Sequence, residues 1–230
     1  MILSCHQPQY IPWLGYFDKI AKSDVFVFLD CVQYKPREFE NRNKIRTQNG
    51  WMWLTIPVIT KRKGRQRICE VKIDDGFPWR RQHWQSLKTW YGRAPYFKTY
   101  APYFEGLYQK PTEVFCEFVV EIIKFFLVEL KIETQVFFES QIKTSSPATG
   151  RILELCQKLK ADTYLSGIGG KNYLDEEMFQ RAGIRLLYQN FIHPVYRQQF
   201  IRNQHDFIPC MSILDLLFNE GPNSRKILGL

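Results

Sequence analysis

Apolar and polar positions along this chain fall into two periods. Residues 2–5 form a short apolar run, Pro12 suits the first turn of a helix reaching about Ala21, and residues 25–29 are apolar throughout. A strand this apolar is usually covered on both faces, as in parallel sheets. The order strand, helix, strand then returns. Ile152, Leu155, Cys156 and Leu159 recur at helical spacing within residues 151–160, and residues 163–165 read as strand. Residues 175–182 read as a helix with acids in its first turn, ended by Gly183, and residues 184–188 as another strand.

Different material lies between these halves. Residues 51–58 and 68–73 have the pattern of antiparallel strands joined by a basic turn containing Gly64. Residues 79–90, 96–108 and 113–130 read as helices, and 136–138 as strand. Ser212 followed by Asp215 marks a helix N-terminus for SILDLLFN, with Gly221 just beyond it. The pattern predicts an α/β protein with a Rossmann-like, mostly parallel sheet. One domain, residues 1–230, carries a mixed antiparallel and helical insertion at approximately residues 45–132.

Composition adds three constraints. Aromatic residues make up 16% of the chain, more than a core of this size needs, which favours a binding cleft. The six cysteines (Cys5, Cys31, Cys69, Cys116, Cys156, Cys210) show no CxxC pair and no short metal spacing, so they read as reduced thiols with no metal site and no disulfide. Glu117, Glu121, Lys124 and Glu129 interrupt the apolar residues 114–132, which favours a buried amphipathic helix over a membrane span. The first apolar run, broken by His6, Gln7 and Pro8 and without a basic leader, predicts a cytoplasmic protein. The net charge of +9, with basic clusters at residues 35–46 and 61–67, attracts anionic partners without choosing among nucleotides, nucleic acid and lipid head groups.

Candidate chemistry gathers where predicted strands end. His6, Gln7 and Tyr10 lie where the first strand gives way to the first helix, a usual ligand position in parallel α/β sheets. Asp30 follows the second strand and suits a base, a hydroxyl binder or a metal ligand. Asn41 and Arg42 follow in NRNK, Arg42 with a fork suited to phosphate or carboxylate; Lys35, Arg37 and Arg46 read as a solvated basic loop. In YLSGIGGKNYLD, Ser166, Gly167, Gly169 and Gly170 let backbone approach an anion and Lys171 adds charge, although the run is neither Walker A nor GxGxxG. His193 and Tyr196 follow the last apolar strand, so His6 or His193 becomes the candidate acid or base. His83 reads as packed or surface-lying, and His205 carries no signal.

Several of these segments, in order, resemble the WbqC-like protein family: HQPQYIPWLGYFDKIAKSDVFVFLDCVQY, the NRN of residues 41–43, WLTIPV, ADTYLSGIGGKNYLD, FIHPVYRQ and FIPCMSILDLLFNEGP. The resemblance implies a bacterial protein of O-antigen or other surface-polysaccharide gene clusters, with transfer of glycine onto a glycan as one proposed role. The strand, polar turn, helix and Asp-bearing second strand are also similar to the start of the nucleotidyltransferase and pantothenate synthetase superfamily, though its HxGH signature is missing. That fold-level analogy implies ATP with Mg as a donor-activating substrate. The expected function is transfer of a small acyl or aminoacyl group from an anionic small-molecule donor to a nucleotide-linked or lipid-linked sugar. His6, Asp30 and His193 would be its catalytic residues. The alternatives are a nucleic-acid binding or modifying protein, from the charge and the aromatics near basic loops, and a non-catalytic scaffold of a glycan-assembly complex.

Overall fold

The computed structural model describes residues 1–230, the side chain of Gln204 excepted. Strand β1 (Ile2–His6) leads through a Pro-rich loop into α1 (Leu14–Ala21), and the chain returns as β2 (Val25–Phe28). A hairpin of β3 (Arg42–Thr47) and β4 (Gly50–Thr55) follows, then α2 (Trp79–Tyr91), α3 (Phe97–Gln109) and α4 (Phe115–Glu129). The chain rejoins the main sheet as β5 (Gln135–Phe138) and continues through α5 (Glu139–Ile142) and α6 (Ala148–Lys158). Strand β6 (Thr163–Ser166), α7 (Glu176–Arg181) and β7 (Arg185–Tyr188) complete that sheet, and α8 (Ile213–Glu220) and α9 (Ser224–Ile227) end the chain.

The main sheet has the order β5-β2-β1-β6-β7, parallel throughout. This is a Rossmann-like α/β arrangement. Because neighbouring residues of a strand face opposite sides, Phe26 and Phe28 of β2 enter one core with α1, α4 and α8, while Val25 and Val27 enter a second core with α6 and α7. Coverage on both faces explains why β2 carries no polar residue, and each of its fully buried phenylalanines contributes about 1.5–3 kcal/mol of burial energy. The order of strands reverses between β1 and β6. A reversal of this kind leaves a crevice beyond the carboxyl ends of those two strands.

The structure corrects the expected antiparallel pair. Strand β4 pairs with β3, in the register Lys44↔Trp53 and Arg46↔Trp51, and not with residues 68–73. Ile68–Glu70 is a 3-10 turn whose N–H groups are taken elsewhere: Ile68 donates to the Val32 carbonyl and Cys69 to that of Asp30. Only an isolated Val58↔Ile73 bridge survives from the expected ladder. Helix α1 begins at Leu14 instead of Pro12, because Trp13 is extended and bridges Ser212. Ser212 caps α8 as expected, its hydroxyl accepting from the Leu214 N–H. Asp215 plays no part in that cap: it is fully buried and accepts from the Tyr91 and Tyr196 hydroxyls and the Gln198 amide. Among the described residues no helix is long and apolar enough to cross a membrane.

Candidate functional site

Two cavities open at the crevice and share His6, Lys19, Gly167 and Gly169 as their common wall. The first, about 320 Å³, is lined by the aromatic rings of Trp13, Tyr16 and Phe191 and by the amides of Gln189 and Asn190. The second, about 550 Å³, carries three cationic side chains, Lys19, Lys35 and Arg151, together with Gln7, Ser166 and Tyr173. One wall is suited to a flat neutral ring, the other to an anion.

Lys19 stands at the join. It is one turn beyond Gly15 on α1, on the side that faces the crevice, and it is only 3% exposed. Its ammonium donates to the Cys5 carbonyl at 3.0 Å, and burial lowers its pKa to about 8. A buried cation with one protein acceptor retains donors for a ligand. The neighbouring Asp18 faces elsewhere: it accepts from Gln189 Nε2 at 2.6 Å and pairs with Lys22 at 2.7 Å, thereby fixing the Gln189 amide in the aromatic cavity.

His6 ends β1 and remains partly open to the crevice, edge-on to the Tyr16 ring. Desolvation, with the Lys19 charge second, lowers its pKa to about 3, so the imidazole is neutral. Arg151, in the first turns of α6, is anchored by an Nε contact of 3.1 Å to the fully buried Glu139. That pairing offsets its charge while leaving the side chain on the cavity wall.

The glycine turn follows β6 as a 3-10 segment, Ile168–Asn172. Gly170 sits against the Ser166 side chain so closely that a Cβ there would collide with the hydroxyl. Gly167 faces Lys19: a Cβ would lie 3.9 Å from the ammonium, inside the space a ligand would use. On the aromatic side, Gly15 leaves room for the Trp13 indole to lie against the α1 backbone.

The sequence candidates divide between this crevice and other places. His6, Gln7, Ser166, Gly167, Gly169 and Gly170 line it. Tyr10 does not: its fully buried hydroxyl bonds His83 Nδ1 at 2.9 Å and the Tyr108 hydroxyl at 2.5 Å, making it a core residue with packed His83. Asn41 donates to the Ile56 carbonyl, and Arg42 donates to the Arg37 carbonyl and lies over the Trp53 ring, so both brace the hairpin. Asp30 is turned toward α5, where both carboxylate oxygens accept from Ser140, and it borders a separate cavity. His193 has both ring nitrogens engaged, Nδ1 with the Pro194 carbonyl and Nε2 accepting the Cys210 N–H; Tyr196 is buried against Asp215. Lys171 is exposed, its ammonium over the Tyr188 ring outside both cavities. His6, Asp30 and His193 therefore do not form one constellation.

Three cations that define the crevice were missed or discounted in the sequence. Lys19 and Arg151 look like ordinary helix-surface charges, and Lys35 falls in a basic loop. Lys35 is exposed on its loop, as expected, and also lines the second cavity. Arg46, also expected to be solvated, is 4% exposed and donates to the Thr47, Gly50 and Asp206 carbonyls.

Comparison with known proteins agrees with the motifs. The uncharacterized protein Rv1507c of Mycobacterium tuberculosis is 35% identical over 223 residues, covering 96% of this chain and 95% of that protein. No solved structure matches. The profile of the WbqC-like protein family matches residues 7–227, a span that includes the first loop, the hairpin, the glycine turn and the C-terminal helices. The chain belongs to the WbqC-like protein family.

Proposed function

We propose that this protein is an enzyme that transfers a small acyl or aminoacyl group to the hydroxyl or amine of a sugar in surface-polysaccharide synthesis. The observation that carries the reading is the pair of cavities meeting at His6 and Lys19. A transfer between two substrates needs two binding spaces with one shared reacting point. The donor's anionic leaving portion lies in the cavity with Lys19, Lys35 and Arg151. The sugar lies against Trp13, Tyr16 and Phe191, its hydroxyls toward Gln189 and Asn190.

In the reaction the acceptor oxygen or nitrogen bonds to the acyl carbon, the donor's bond to its leaving group breaks, and the acceptor proton passes to His6 and then to the leaving group. Lys19 and the Gly167–Gly170 backbone stabilise the negative charge that develops. A bound anion offsets the Lys19 charge beside His6, which raises the imidazole's basicity when the site is loaded. The test compares the surface glycan of the source cells by mass spectrometry with the gene intact, deleted, and replaced by Lys19→Met. A small acyl mass lost on deletion and restored only by the native gene supports the reading. An identical glycan in all strains rejects it.

A second reading, nucleic-acid binding, is favoured by the outer face of the hairpin. Trp51 is 44% exposed, the Lys44 ammonium lies 4.6 Å from its ring, and Arg42 lies 4.4 Å from that of Trp53. Salt-dependent binding of a single-stranded oligonucleotide that disappears in Trp51→Ala would establish it; no such binding leaves the transfer reading alone.

A further inference from the structure

A second cluster lies beyond the carboxyl end of β2, with none of its residues lining the two cavities of the crevice, and it does not depend on the reading above. One ligand-capable atom from each of Asp30, Cys31 and Cys69 lies within 4.8 Å of the others. Two backbone bonds create this meeting. Cys69 N donates to the Asp30 carbonyl at 2.9 Å and Ile68 N to that of Val32 at 3.0 Å, clamping the 3-10 turn against the residues on either side of Cys31. The distant pairing explains why cysteine spacing in the sequence gives no metal signal.

We propose that Asp30, Cys31 and Cys69 bind a thiophilic divalent cation of the zinc class, with a fourth position open to the adjoining cavity. Four-coordinate zinc with bonds of about 2.0–2.3 Å places its ligands roughly 3.3–3.8 Å apart, so side-chain adjustments of about 1 Å close the cluster around the ion. Two sulfurs and one carboxylate select zinc over magnesium or calcium, which prefer oxygen-only shells. The carboxylate is already oriented: Ser140 donates to Asp30 from its N–H at 2.9 Å and its hydroxyl at 2.6 Å, occupying two of about four lone-pair positions. Such bonds to a ligand's far side are the usual outer support of a metal site. The entry path is a cavity of about 530 Å³ bordered by Asp30, Cys69, Cys116 and Lys124. On binding, the Cys31 and Cys69 thiols each form a sulfur–metal bond and release a proton to solvent, with no change of oxidation state.

The test uses the full chain, reduced, stripped with chelator and kept anaerobic. Added Co²⁺ should produce thiolate-to-cobalt charge-transfer absorption that saturates stoichiometrically and is displaced by Zn²⁺. Cys31→Ser and Cys69→Ser should each abolish that absorption, and Cys210→Ser, at an exposed thiol, should retain it. Iodoacetamide labelling of the native chain, read by peptide mass spectrometry, avoids dependence on the variants' folding. Zn²⁺ should protect Cys31 and Cys69 and leave Cys210 reactive. Absence of the charge-transfer absorption in folded, reduced protein, or protection that spares neither Cys31 nor Cys69 from labelling, overturns the proposal.

Discussion

Replacing Lys19 by Met keeps an unbranched stem and deletes the ammonium at the join of the two cavities. The native ammonium is lowered from 10.5 to about 8 by burial, which corresponds to roughly 3 kcal/mol held against the charged form. Leaving the Cys5 carbonyl without this buried donor removes about 1–2 kcal/mol of that gain. Lys19→Met should therefore be more stable than the native protein by about 1–2 kcal/mol at pH 7. The same change should weaken binding of a phosphate-bearing ligand about 10- to 150-fold, the equivalent of 1.5–3 kcal/mol for a hydrogen bond to a charged group. More stable and less able to bind is the signature of a functional cation kept at a cost to the fold.

The pH dependence has a definite sign. Because the folded pKa lies below the unfolded one, the unfolded chain holds its proton up to 10.5 while the folded chain sheds it near 8. Native stability contributed by this group is fully present above 10.5 and is lost as pH falls through 8. The advantage of Lys19→Met should accordingly be largest at pH 7 and shrink between pH 8 and 10.5. Urea denaturation across this range and calorimetric titration with uridine diphosphate at pH 7 measure both effects. A folded variant with unchanged diphosphate affinity, or an advantage independent of pH, would refute the assignment.

Three further substitutions separate scaffold from site. Tyr10→Phe should cost about 1–3 kcal/mol in urea denaturation, since it leaves His83 and Tyr108 each short of a buried partner, and should leave diphosphate affinity unchanged. Lys171→Ala should alter stability by no more than about 0.5 kcal/mol and lower diphosphate affinity far less than Lys19→Met; an equal loss would return Lys171 to the site. Asn43→Ala should destabilise the protein by about 1–3 kcal/mol in thermal or urea unfolding and also weaken diphosphate binding, because it frees the loop that carries Gln7.

The sheet was legible because its central strands are buried on both faces, which leaves an unbroken apolar run in the sequence. The glycine turn was legible for a related reason: close approach at Gly170 excludes every side chain, so composition records geometry there. Strand β3 was not. Its outward positions are Arg42 and Lys44, and one inward position is Asn43, so RNKIRT reads as a basic loop although each of its residues stands opposite a partner on β4. Lys19 was hidden by its neighbours: Asp18, Lys19 and Lys22 at a helix end look like a solvated charge cluster. Only the strand order, which brings β6 beside β1 and covers that side of α1, turns a helix lysine into a buried cation.

The polar loop residues expose a different limit, because pattern gives position along the chain but not the direction in which a side chain points. HQPQYIPW does carry the crevice, yet its halves do different work. His6 and Gln7 face the cavities, whereas Tyr10 turns back into the core and Ile11 adopts φ 40°, a value unfavourable for a β-branched residue. The Asn43 amide bonds the Ile11 carbonyl at 2.9 Å, and the Tyr10 N–H bonds the Glu40 carbonyl at 2.9 Å, so the chain around NRN holds this strained turn in place. Asn43 is fully buried, which is why its amide can hold that turn without competition from water. The two motifs are thus one device: the first presents the cavity-facing residues, and the second fixes the backbone from which they project. A substitution in NRN can lower ligand affinity without touching the ligand, and its loss of stability, opposite in sign to the gain expected of Lys19→Met, tells the two kinds of loss apart.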